Sequence, residues 1–207
     1  MQEYIQVAPV ASAIFAFTVF TSLYALFVNH DVTYQLSLHP YSINRGSRYY
    51  TILTSGLVHA DIGHLLFNMM TFYFFAFRLE ATIGHWQFAL LYTAGLILSD
   101  VSTIAKYKNS IHYYSLGASG AISAVLFSYI LFDPLTKLYI MFIPIGIPAV
   151  IFGPIYLAYC VYASRHGRDN INHDAHFYGA VTGIVLTILL FPSIIGYFMG
   201  TIMTALN

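Results

Sequence analysis

Charged side chains are so sparse in this 207-residue chain, and apolar runs so long, that most of it has nowhere stable to fold except in lipid. Hydrophobic residues make up 58% and charged residues 8%, against about 25% charged in soluble domains. Mean hydropathy is +0.71. A helical span needs about 20 apolar residues, so this length accommodates six short-looped spans and little else. No strand pattern of a membrane barrel is visible, nor any repeat or linker, so residues 1–207 read as a single all-α membrane domain. Eight Lys and Arg balance eight Asp and Glu, which gives no reason to expect nucleic acid or an anionic partner. The single cysteine, Cys160, excludes an intrachain disulfide framework.

The apolar runs place the spans at about 7–28, 62–77, 86–104, 116–133, 138–162 and 175–198. The first could pass for a signal peptide, but its leading Met-Gln-Glu-Tyr has no basic residue and the run is long, so it reads as a retained span. A connection from Asn29 to Asp61 is too long to be a turn. Span four should stop at Asp133-Pro134. Span five carries Pro144, Pro148 and Pro154, each of which removes a helical donor, and is expected to be kinked and mobile. In span six Gly179 and Gly183, four apart, form the small-xxx-small pattern of close helix approach.

Polar residues inside these runs are costly, and by default they indicate function. Ser119 opens span four and His176 opens span six. A serine hydroxyl becomes a nucleophile when a base takes its proton, and histidine suits that task near neutral pH. The oxyanion formed on attack needs preorganised donors. His64 and Asn68, on one face of span two, and the Ser119 amide can serve. Gly117 and Gly120 flank the serine and let backbone and substrate approach. The same residues have a bland reading, Ser119 and Gly120 as a packing seam and His176 as a satisfied interfacial side chain. A metal centre of His59, His64, His173 and His176 is also chemically conceivable, with Asp174 the only carboxylate at hand, but H-E-x-x-H is absent. No resident metal is therefore expected.

Together these motifs resemble the rhomboid family of intramembrane serine proteases. The resemblance is carried by His59-x4-His64-Leu65-Leu66-Phe67-Asn68, by Gly117-Ala118-Ser119-Gly120, and by Ala175-His176-x2-Gly179-x3-Gly183, over about residues 51–188. It implies a six-transmembrane-helix rhomboid-like bundle that hydrolyses peptide bonds in transmembrane protein substrates, within the lipid bilayer and without a cofactor. Ser119 looks like the nucleophile, His176 like the base of a dyad, and His64 with Asn68 like oxyanion donors. His59, Gly117, Gly120, Gly179, Gly183 and Glu80 are supporting residues, Glu80 matching a glutamate that ties helix ends. Asp174 is not expected to act as a third member. A bacterial inner membrane is the expected location. Four residues past the serine, where the family often has an aromatic, this chain has Ser123, so a tyrosine elsewhere is expected to hold His176. The alternatives are a catalytically weak relative that binds membrane helices without cleaving them, and a transporter, which the proline-rich span five would suit. The family plan puts the N-terminus inside and Arg45, Arg48, Lys106, Lys108, Arg165 and Arg168 outside, against the positive-inside rule.

Overall fold

The computed structural model describes residues 6–139, 145–167 and 169–206. Seven helices of more than ten residues occur among them, α1 (Pro9–Phe27), α2 (Ile62–Ile83), α3 (His85–Tyr107), α4 (Ser119–Phe132), α5 (Ala149–His166), α6 (His173–Leu190) and α7 (Ile194–Leu206). By length and composition α1, α2, α3 and α6 can each cross a membrane, while α4 and α7 are apolar but shorter. The protein is thus a multi-pass helical membrane bundle.

Helix α4 is its axis. Every residue from Gly120 to Ile130 is buried, as expected of a helix that is apolar all round. It packs against α6, α3 and α2. Its 14 residues span about 21 Å at 1.5 Å per residue, less than the hydrocarbon thickness of about 30 Å. At least one end of α4 therefore lies below a membrane surface.

The α4–α6 seam is built from glycine. A Cβ on Gly179 would strike the Gly120 carbonyl, and one on Gly183 the Ala124 carbonyl. Those two pairs advance in the same direction, so α4 and α6 run parallel. Deeper along the seam Thr187 Oγ1 donates to Gly183 O at 2.6 Å, so Ser128 Oγ donates to Thr187 Oγ1 across 2.7 Å.

Several boundaries depart from the sequence expectations, each for a local reason. Helix α2 continues past Phe77 to Ile83 because the fold neutralises Glu80. This carboxylate is fully buried, accepts from Val10 N at 3.0 Å and from Ala11 N, and meets His85 Nδ1 at 2.7 Å. Two orphan donors at the start of α1 are satisfied this way, so Glu80 joins the ends of three helices from inside the last turn of α2. Gly84, at φ +93°, makes the sharp passage into α3. The Asn29–Asp61 connection holds short helices at Asp31–Leu36, Pro40–Ile43 and Thr51–Thr54 and a 3-10 turn at Ser55–Leu57. Span six stops at Leu190, since Pro192 disfavours helical backbone at Phe191 (φ −134°, ψ 75°), and α7 follows as a separate helix.

Span five is corrected most. Its first part is not helical: Lys137–Tyr139 (β1) and Gly146–Pro148 (β2) pair antiparallel, Lys137 opposite Pro148. Pro148 ends β2 and immediately precedes α5. Pro144 lies outside the described residues, as does Arg168. Only Pro154 sits inside α5. The helix start is also pinned, Ala149 N to Thr136 O and Val150 N to Pro134 O, both at 2.9 Å.

Candidate active site

The three polar connections meet at one end of the bundle. Leu38 and Ser115 exchange backbone hydrogen bonds at 2.8 and 3.1 Å, and Gly117 N donates to Ser55 O at 2.9 Å. Asn172 caps α6 by accepting from Ala175 N, and its amide donates to Thr103 Oγ1 at 2.7 Å and Ser115 Oγ at 3.3 Å. Lys106 Nζ meets Asp174 at 2.7 Å. Asp174, in the first turn of α6, is thereby tied to α3.

Beneath this rim lie Ser119 and His176. Ser119 is the first residue of α4, with Ala118 at the cap and no side chain capping the helix. The N–H groups of its first turn are thus without intrahelical acceptors and form a positive end. Gly120 touches α6 directly, a Cβ there lying 3.5 Å from Ala175 O and clashing with Ser99. Since Gly179 seats on Gly120, His176 stands one turn back along α6, level with the start of α4. Both Ser119 and His176 are half-buried. Among the described residues no hydrogen bond joins Ser119 Oγ to His176; the imidazole bonds through Nδ1 to Tyr156 OH at 3.1 Å.

Tyr156, on α5, takes the place of the expected aromatic. Its ring lies near-parallel to His176, centroids 6.4 Å apart, and its hydroxyl is 3.5 Å from Ser123 Oγ. The small Ser123 side chain therefore leaves room for a phenol from another helix and contacts it. Sequence reasoning did not single out Tyr156, because nothing distinguishes it among 18 tyrosines. Asn172 was also missed, although an Asn directly before a helical run is an N-cap signal.

His64 approaches from the other side. Asp61 caps α2 by accepting from His64 N at 2.8 Å. A Cβ on Gly117 would come within 2.7 and 2.8 Å of His64 Cε1 and Nε2, so only glycine, here at φ +111°, lets the loop before Ser119 pass this imidazole. Asn68, buried one turn along, donates through Nδ2 to His64 O at 3.0 Å. Its amide carries a second N–H and an oxygen.

His59 holds the frame. Ser22 Oγ donates to Leu57 O at 2.8 Å, which uses its one proton, so His59 Nδ1–H donates to Ser22 Oγ at 2.9 Å. Burial first, and then the His64 ring, push the His59 pKa down to about 3. It is neutral, its buried Nε2 has no partner among the described residues, and its ring meets His64 edge-on at 4.9 Å. The four histidines do not form one metal centre: His59 pairs with His64, while His173 and His176 approach Cys160. Apolar grooves beside α7 and beside α1 contain none of these residues.

Comparison with known proteins bears on the family of the chain. The family model described as "Rhomboid domain" matches residues 46–193. Over 190 residues the chain is 30% identical to "Putative rhomboid protease YdcA" of Bacillus subtilis, covering 91% of this chain and 92% of that one. Identity to "RHOMBOID-like protein 12, mitochondrial" of Arabidopsis thaliana is 28% over 156 residues, 68% of this chain and 46% of the relative. The human "Presenilin-associated rhomboid-like protein, mitochondrial" is 30% identical over 141 residues, 64% of this chain and 36% of that protein. The chain thus spans nearly all of the bacterial relative, but about half or less of the mitochondrial ones.

Proposed function

The chain belongs to the rhomboid family, and on that premise we propose that it is an intramembrane serine endopeptidase cleaving transmembrane protein substrates with a Ser119–His176 dyad. The observation that carries this reading is the glycine seam, which brings the first residue of α4 level with the first turns of α6 under a polar rim. In the reaction His176 Nε2 takes the Ser119 proton as Oγ attacks the substrate carbonyl, and later returns it to the leaving amine. That requires the tautomer with the proton on Nδ1, which then donates to the Tyr156 oxygen at 3.1 Å, while the Tyr156 hydroxyl can donate to Ser123 Oγ, 3.5 Å away.

The oxyanion is stabilised by the Ser119 amide at the positive end of α4, by His64 and by Asn68. No metal or cofactor takes part. The six-span plan, the single domain over 1–207 and an N-terminus inside are parts of the same reading. So is a bacterial cell membrane, favoured because the relative matched along almost its whole length is bacterial. A family member that binds helices without cleaving them is the second reading, favoured by the missing Ser119–His176 hydrogen bond, although catalytic hydrogen bonds in substrate-free sites are often long and tighten in the complex. Purified protein in detergent, incubated with a single-span substrate beside Ser119→Ala, separates the two. Cleavage only by the unaltered chain is expected; equal absence of cleavage favours the binding reading.

A further inference from the structure

Beside the dyad, His176 shares a cluster with Cys160 and His173, two side chains that the proposed hydrolysis does not use. Cys160 on α5 and His173 and His176 on α6 each offer one ligand atom, and the three lie within 4.8 Å of one another. Cys160 is fully buried and His173 is 4% exposed. His173 is turned in a telling way. Its Nε2 faces the Asp169 carboxylate at 3.1 and 3.2 Å, while Nδ1 is buried with no hydrogen-bond partner among the described residues.

An imidazole that donates Nε2–H to a carboxylate carries a bare lone pair on Nδ1. Leaving that acceptor buried and unpaired is costly. Metal-binding histidines have this same division, a carboxylate on one ring nitrogen and the cation on the other. Asp169, in the loop before α6, keeps its carboxyl below the usual range through the His173 contact and the Ile171 amide. Its side chain is 43% exposed, which opens a path from solvent to His173.

We propose that Cys160, His173 and His176 form an inhibitory site for a thiophilic cation such as Zn²⁺. One thiolate with two imidazoles selects zinc or copper over magnesium and calcium. Ligand atoms around tetrahedral zinc stand about 3.5 Å apart, so the cluster closes by roughly an ångström on binding. The Cys160 thiol loses its proton to solvent as the metal–sulfur bond forms, the two imidazoles give lone pairs, and water or the Tyr156 oxygen fills the fourth position.

Capture of His176 removes the base. With the cation on Nδ1, Nε2 keeps its proton and cannot take the one from Ser119; with the cation on Nε2, the lone pair is occupied. The inhibitory half of this proposal rests on the protease reading, and the binding half does not.

The test uses the full chain in detergent with Co²⁺ as the probe and Zn²⁺ as competitor. A stoichiometric sulfur-to-cobalt charge-transfer absorbance, bleached by zinc, is expected. It disappears in Cys160→Ser and in Cys160→Ala, and apparent affinity falls at least tenfold in His173→Gln and His176→Ala. Zinc should stop cleavage by the unaltered chain, and Cys160→Ser should cleave normally while resisting zinc. No charge-transfer band, zinc bound as tightly by Cys160→Ser as by the unaltered chain, or bound zinc that leaves cleavage unchanged overturns the proposal. A thiolate band on a protein that cleaves nothing even free of metal supports the site and contradicts the protease reading instead.

Discussion

At the scale of single residues Tyr156 is central, because its hydroxyl engages His176 Nδ1 and so leaves Nε2 for Ser119 in the proposed dyad. Removing it in Tyr156→Phe keeps the ring packing against Phe152, 5.4 Å between centroids, and deletes only the oxygen 3.1 Å from Nδ1. One lost hydrogen bond of about 1.4 kcal/mol in the transition state is a tenfold loss in rate. Steady-state assays should therefore give kcat down about tenfold with KM nearly unchanged; a rise in KM alone would assign Tyr156 to substrate binding. Asn68→Ala is expected to lower kcat, again about tenfold, because His64 remains as a donor, and a purely KM effect would contradict the oxyanion role. Ser119, His176, His64 and Asn68 stand out as candidates in the sequence because polar groups inside apolar runs are rare. Tyr156 does not, because its role depends on how α5 packs, which no spacing along the chain encodes.

Among the elements, α4 and α6 are locked by backbone contact at glycine, whereas α5 buries mainly small residues, Ala149, Gly153, Cys160 and Ala163. Phe75 of α2 and Phe152 of α5 pack against one apolar cluster that includes Leu126, Phe127 and Ile130 of α4. Separation of α5 from α2 there would admit a substrate helix sideways, and Pro154, which leaves a carbonyl of α5 unpaired, favours such movement. Cross-linking Phe75→Cys to Phe152→Cys in a Cys160→Ser background should block cleavage of a transmembrane substrate while sparing a small soluble ester. Equal loss on both would refute the gate. The proline pattern of span five announced an irregular segment but not its form. Pro148 and Pro154 fall four and ten residues past Pro144, and whether a proline closes a strand or bends a helix is decided by pairing with Lys137–Tyr139 and by the Thr136 carbonyl, both tertiary. The helix starts read better, since Asp61 caps locally, while the true end of α2 hid behind the charge on Glu80, neutralised by α1 and α3.

For the whole molecule, His59 links stability to pH. It stays neutral in the fold down to about pH 3, whereas the unfolded chain protonates it near pH 6.5. Between those values the unfolded state binds more protons, so stability rises with pH and is lost as pH falls from about 6.5 toward 3, by up to about 1.4 kcal/mol per unit. Thermal unfolding in detergent should show a shallower pH dependence for His59→Asn than for the unaltered chain. Parallel slopes would mean that His59 is charged in the fold.

The proposed catalysis requires that His176 activate Ser119 without a metal. A fluorophosphonate, incubated with the purified protein in the presence of a strong chelator and located by peptide mass spectrometry, tests that most directly. Stoichiometric label on Ser119, lost in His176→Ala, is the expected result. Cleavage of a transmembrane substrate that chelator abolishes and zinc restores, with Ser119 unlabelled throughout, would contradict the dyad, the oxyanion site and the inhibitory role of zinc together.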